Sequence, residues 1–195
     1  MVKLIEYAEN FLEKKLVSLR KDVDICRCGV AQTPALLFCF SVIDLLGALY
    51  CGNASKRADT IKQFKKYMKD VMNYDDTQVK ILQRQFRHKL VHLSEPEPII
   101  EYNEELIAWK INWDHDPNRH LQIVELLSPA PYPAPFGINY QIKKEFWLSI
   151  PDFVEDICRS VKGTDGYLDR LKKDPKLQSY FKIAIMQMHA PEQIK

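Results

Sequence analysis

Between positions 84 and 93 the chain reads Arg84-Gln85-Phe86-Arg87-His88-Lys89-Leu90-Val91-His92-Leu93, with two arginines, two histidines and a lysine in ten residues. Arginine is a permanent cation whose planar fork matches phosphate, and histidine exchanges a proton near neutral pH. Arg87 and His92 therefore suit phosphoryl chemistry. An RNA 2′-hydroxyl must lose a proton to attack its own phosphate, and the phosphorane that forms must have its charge stabilised; His and Arg supply both functions without a metal. Other chemistries fail on residue type. His88 and His92 have the separation that lets two imidazoles bind zinc from one helix face, but Lys89 stands where a zinc peptidase helix needs glutamate. There is no glycine-rich phosphate loop, no nucleophile-elbow serine and no cysteine with a nearby histidine partner. The expectation is no metal and no cofactor.

These residues need a rigid carrier. Val79, Leu82, Phe86, Leu90 and Leu93 recur at helical spacing, so the polar residues between them ride on an amphipathic helix that Pro96 and Pro98 cannot continue. Residues five apart differ by about 140° around a regular helix. Arg87 and His92 can thus meet one ligand only across a groove or at the helix end, and a second subunit would form such a groove. The helix begins after the turn 73–76 with acidic residues and ends with basic ones, as the macrodipole favours. Serving that terminus is the plain explanation of the same charges.

Six further helical stretches are expected. Residues 2–22 carry an apolar stripe of Leu4, Ile5, Ala8, Phe11, Leu12, Leu16 and Leu19, and 24–33 reads as a connection. Cys26 and Cys28, one residue apart, match neither the usual metal nor the usual dithiol spacing. Thr33-Pro34 reads as hydroxyl cap and first-turn proline of a helix running to about Tyr50 and closed by Gly52-Asn53. Apolar almost all round, it belongs at the centre of a bundle, which makes Asp44 its informative residue. A buried carboxylate must meet a cation or a donor. Asp44 sits at the bundle surface, is held by a structural hydrogen bond, or orients Arg87 or His92. Ser55 is the expected cap of a helix over 56–72, with Ile61, Phe64, Met68 and Val71 inward. Pro151, followed by Asp152, Glu155 and Asp156, opens a helix that Gly163 to Gly166 break before two further helical stretches, 167–173 and 175–188.

Between the helices the pattern alternates at 99–102, 106–113, 120–127 and 138–148, which predicts a small antiparallel sheet. Pro129, Pro131, Pro133 and Pro135 make 128–137 an extended loop that cannot be a central strand. The fold class is mainly α with a β appendage (α+β): an up-and-down helical bundle with an inserted sheet. We read it as one domain, 1–93 and 150–195 forming the bundle and 94–149 the insertion.

The whole chain of 195 residues is 46% hydrophobic and 28% charged with a net charge of +2, an ordinary globular balance that excludes a disordered tail. Charge is unevenly placed. From 55 to 92 there are ten Lys and Arg against four Asp, and Lys62, Lys66, Arg84 and Lys89 are the candidates for contacting RNA phosphates. Five cysteines without paired spacing read as reduced thiols, Glu6 interrupts any signal peptide, and the run 35–51 is broken by Asp44 and falls short of the ~20 residues of a membrane span. A cytoplasmic protein without membrane association is expected.

Arg87-His88-Lys89-Leu90-Val91-His92 near the end of a bundle helix, preceded by the apolar helix with Asp44, resembles the motif of the HEPN superfamily (higher eukaryotes and prokaryotes nucleotide-binding). The resemblance covers about 30–93, and His88 stands where that family commonly has Asn. It implies an up-and-down bundle, a homodimer that brings two motifs together, and often metal-independent RNA cleavage leaving a 2′,3′-cyclic phosphate. On this reading His92 is the general acid or base, Arg87 stabilises the phosphorane, and Asp44 and His88 orient them. Two functions follow: an RNA endonuclease, with a toxin or defence role and an antitoxin or nucleotidyltransferase partner, or an inactive module that binds a nucleotide, RNA or protein through the same groove.

Overall fold

A computed structural model describes residues 2–55, 58–84, 99–133 and 139–190. Helix α1, Val2–Cys28, buries Ala8, Leu12, Leu16, Leu19, Val23 and Cys26 along one stripe. It runs past the expected end at 22, because Val23 and Cys26 extend the stripe and no breaker precedes Gly29. The chain reverses through Val30, at φ 54°, and Ala31, whose N–H donates to the Cys26 carbonyl at 2.8 Å. Helix α2, Gln32–Cys51, therefore starts one residue before Thr33; Ala31 is its N-cap and no side chain caps it. Pro34 lies in the first turn, where its missing N–H costs nothing. Gly52, at φ 69°, closes the helix in the left-handed region as expected.

Helix α3, Thr60–Asp70, is capped by Asp59, whose carboxylate accepts the Lys62 N–H at 2.9 Å. The expected cap, Ser55, instead bonds Asn53 through its hydroxyl at 2.7 Å. Phe64, Met68 and Val71 are buried as expected, while Ile61 is exposed. Helix α4, Asp76–Ile81, opens with a reciprocal capping box between Asp75 and Gln78 and continues into a wider, π-type turn at 82–84.

Four strands follow: β1 Ile99–Tyr102, β2 Glu105–Asn112, β3 Ile123–Pro133 and β4 Asn139–Ser149. Asn103 and Glu104, at φ 51° and 64°, make the tight β1–β2 turn. The sheet order is β1-β2-β4-β3, and β2 pairs with β4 in parallel. The sheet is thus mixed, where an antiparallel one was expected. Proline explains the order: Pro129 and Pro131 have no N–H to donate, so β3 must keep one side unpaired, and the apolar β4 with Ile142, Phe146 and Leu148 takes the interior position. The proline segment is an edge strand as far as Pro133, with an irregularity between Glu125 and Ala130, and 134–137 of the expected loop fall outside the described residues.

Helices α5, Ile150–Lys162, α6, Tyr167–Lys173, and α7, Pro175–Met188, complete the chain, with α5 following β4 directly and Ser149 as its N-cap. The protein is mainly α with a β appendage. Helix α2 packs against α1, α3, α5 and α7. Phe40 in α2 meets Phe153 at 5.5 Å and Phe64 at 6.0 Å between ring centroids. By length and composition α2 could also cross a membrane, but here it is the packed helix that the others cover.

Gly47 allows the closest approach. A Cβ at this position would lie 2.9 Å from the Gln63 carbonyl of α3, a backbone atom that cannot swing away. Alanine normally gains up to about 1 kcal/mol over glycine in a helix; overpacking costs about 1–3 kcal/mol and wins. Gly47→Ala should lower the urea midpoint, whereas the propensity effect alone would raise it.

Candidate functional site

The residues singled out by type fall into two groups. Arg87, His88, Lys89 and His92 lie outside the described residues. Asp44 and the helices leading to the motif are described. Asp44 is half-buried on α2, flanked by the fully buried Ile43 and by Leu46 and Gly47 one turn on. It occupies neither open solvent nor the dry centre of the bundle. Arg84 is exposed on the π-type turn that extends α4. Lys62 and Lys66 are exposed on α3, but Lys66 bonds Asp70 at 2.6 Å and lies 5.5 Å over the Tyr50 ring, so part of its charge is matched locally.

A second constellation gave no signal in the sequence. It lies where β4 becomes α5. The Ser149 hydroxyl donates to the Asp114 carbonyl at 2.8 Å, and the Ser149 N–H donates to His120 Nδ1 at 3.2 Å. Nδ1 therefore carries no proton, and His120 Nε2 faces Asp156 Oδ2 at 3.4 Å, too poorly aligned for a full hydrogen bond. The Tyr74 hydroxyl donates to the same carboxylate oxygen at 2.6 Å, and Arg159 reaches the other at 3.2 Å. Burial would raise the Asp156 carboxyl, but the close approach of His120, the bond from Tyr74 and the nearby Arg159 outweigh it and hold the group below the usual carboxylate range. Burial, and then the facing Asp156, push the Tyr74 phenol well above its ordinary value.

Beside it, His115 Nδ1 lies 2.5 Å from Asp152 Oδ1, while Asp152 Oδ2 accepts the Asp116 N–H at 2.8 Å. Asp152 is 5% exposed and His115 is exposed. A buried carboxylate here orients a solvent-facing imidazole, the division of labour found in acid–base sites, and it also pins the loop 113–122 to the first turn of α5. Sequence reading used Asp152 and Asp156 only to mark the start of a helix. Their partners in the β2–β3 loop and at Tyr74 are 36 to 82 residues away, so no spacing rule could pair them.

Near this junction a cleft of about 210 Å³ is lined by Arg20, Arg27, Asp24, Glu155, Trp113 and neighbouring apolar side chains. Arg20 pairs with Glu155 at 3.1 Å, and two arginines against two acids give no net attraction for phosphate. Among the described residues no group of His, Cys, Asp and Glu is arranged to hold a metal ion. All five cysteines are free. Burial and the neighbouring Asp22 push the Cys26 thiol up, away from the reactive thiolate a redox pair with Cys28 would need.

Compared with protein-family models, curated proteins and solved structures, the chain matches none.

Tyr74→Phe should cost about 1–3 kcal/mol in urea unfolding at pH 7, since it removes a bond to a charged acceptor. Asp156→Asn tests the carboxylate itself. A lowered folded pKa contributes stability that is present above the unfolded value of about 3.9 and is lost as pH falls through the folded one. The stability gap between wild type and Asp156→Asn should therefore close on acidification below about pH 4. A gap unchanged between neutral and acid pH would mean that Asp156 contributes by shape and not by charge.

Proposed function

We propose that the protein is a metal-independent RNA endonuclease in which Arg87 and His92 act on one phosphodiester. The observation that carries the reading is the placement of Asp44. It is a half-buried carboxylate on an otherwise apolar central helix, flanked by α3, from whose far end the capped helix α4 carries the chain into the motif. A half-buried carboxylate needs a cation or a donor to match it, and the motif's arginine and histidines are groups of that kind.

In the proposed reaction the RNA 2′-oxygen attacks the adjacent phosphorus and the bond to the 5′-oxygen breaks. The products are a 2′,3′-cyclic phosphate and a 5′-hydroxyl. His92 exchanges a proton with the attacking or the leaving oxygen, and Arg87 neutralises charge on the phosphorane. Asp44 and His88 are positioning residues. The 140° offset between Arg87 and His92 makes a site shared by two copies of the chain the natural arrangement. Lys62, Arg84 and Lys89 would draw the phosphate backbone in, which makes binding salt-dependent.

His92→Ala should reduce cleavage of single-stranded RNA by about 10² to 10⁴ while RNA affinity changes little, because a general acid or base contributes to the transition state and not to ground-state binding. Chelators should leave the rate unchanged. DNA of the same sequence should remain uncut, since it lacks the attacking 2′-hydroxyl. Purified wild type that cuts no RNA, or a His92→Ala variant that cuts as well as wild type, sinks the catalytic reading and leaves a binding module.

A further inference from the structure

The sheet has one face on the helices and one away from them. Ile107, Ile111, Phe146 and Leu148 belong to the core, so their neighbours along β2 and β4, Ala108, Lys110, Glu145 and Trp147, point to the opposite side. On that side Trp147 is paired in register with Lys110. Lys110 Nζ lies 4.4 Å and Arg119 Cζ 4.7 Å from the Trp147 ring centroid. Lys110 makes no ion pair among the described residues, and Arg119, half-exposed, has only Asp116 at 3.9 Å. Lys143 is exposed farther along β4 on the same face. A half-buried aromatic ring with two cations over it, on the strand face turned away from the helices, combines the two elements by which proteins hold single-stranded nucleic acid: a stacking partner for bases and positive charge for the backbone.

The position adds a second argument. Ile99, the first described residue after the segment that contains Arg87 and His92, pairs with Ala108, two residues along β2 from Lys110. The chain thus enters the sheet at the end that carries Trp147. His92 and Ile99 are seven positions apart, so chain length alone keeps them within about 25 Å. A strand of a few nucleotides spans such a distance.

We propose that Trp147, Lys110 and Arg119 on the outer face of β2 and β4 form a platform for single-stranded RNA, with a base stacked on the Trp147 ring or on the Arg119 guanidinium and the flanking phosphates held by the two cations. The proposal deepens the endonuclease reading and rests on it for the choice of RNA over other anionic chains. Stacking carries no base code, so the platform favours single strands over duplexes and is tolerant of sequence.

The test uses the full chain with His92→Ala as the parent, so that binding is read without cleavage, and a fluorescein-labelled ten-nucleotide uridine RNA in anisotropy titrations at several salt concentrations. Trp147→Ala in this parent should weaken binding about 10- to 100-fold. Lys110→Ala and Arg119→Ala should each weaken it and lower the slope of log affinity against log salt by about 0.7. Lys182→Ala, on the exposed side of α7, should change neither. Circular dichroism checks the fold, and if Trp147→Ala is unfolded the two cation variants decide. Unchanged affinity in all the platform variants, or a parent that does not bind the RNA, overturns the platform. The nuclease reading fails separately: a wild type that binds through Trp147 but does not cut keeps the platform and loses the chemistry.

Discussion

Burial of α2 is the constraint from which the rest of the architecture follows. Its leucines, isoleucine and phenylalanines leave no wide polar face, and each such side chain is worth about 1.5–3 kcal/mol when fully removed from water. Four helices are needed to cover it, and they come from both ends of the chain: α1 and α3 from the first half, α5 and α7 from the second. The sheet therefore has to leave the bundle and return within 99–149. Gly47 sets how near α3 can come, and the Phe40, Phe64 and Phe153 rings fill the space that remains.

The return is made at Ser149, where a strand becomes a helix with no intervening loop. Two acids in the first turns of α5 gather partners from two separate parts of the chain: Tyr74 from the turn before α4, and His115, Asp116 and His120 from the loop between β2 and β3. A buried carboxylate left without donors costs far more than a bond gains. The junction therefore selects one docking of sheet on bundle over alternatives that would strand Asp152. It also connects the turn that opens α4, and hence the entry to the motif, with the sheet.

With β1, β2 and β4 packed on the helices through Ile100, Ile107, Phe146 and Leu148, the opposite face of the sheet is available for function. Lys110, Arg119 and Trp147 collect there because a parallel β2–β4 pairing puts Lys110 directly beside Trp147. An antiparallel pairing of the same two strands would have placed different residues side by side.

Local chemistry was legible in the sequence wherever one segment contained the whole answer. The apolar stripe of α1, the central role of α2, the left-handed Gly52, the Gly163 to Gly166 break and the exclusion of the proline segment from the sheet interior each depend on residues within a turn or two of one another. Caps were less so: Ser55 and Asp59 both have suitable side chains, and in the folded chain Asp59 accepts the Lys62 N–H while the Ser55 hydroxyl bonds Asn53. The motif candidates Arg87 and His92 were visible by type and spacing, whereas the Tyr74, His120 and Asp156 cluster and the Lys110, Trp147 and Arg119 platform were not. Their members come from separate elements, Tyr74 and Asp156 being 82 residues apart. Residue type and periodicity determine what an element is and which face it buries; the partners of a polar group on that element are set by strand order and helix docking, which minimise the free energy of the whole chain and have no signature in any one segment of it.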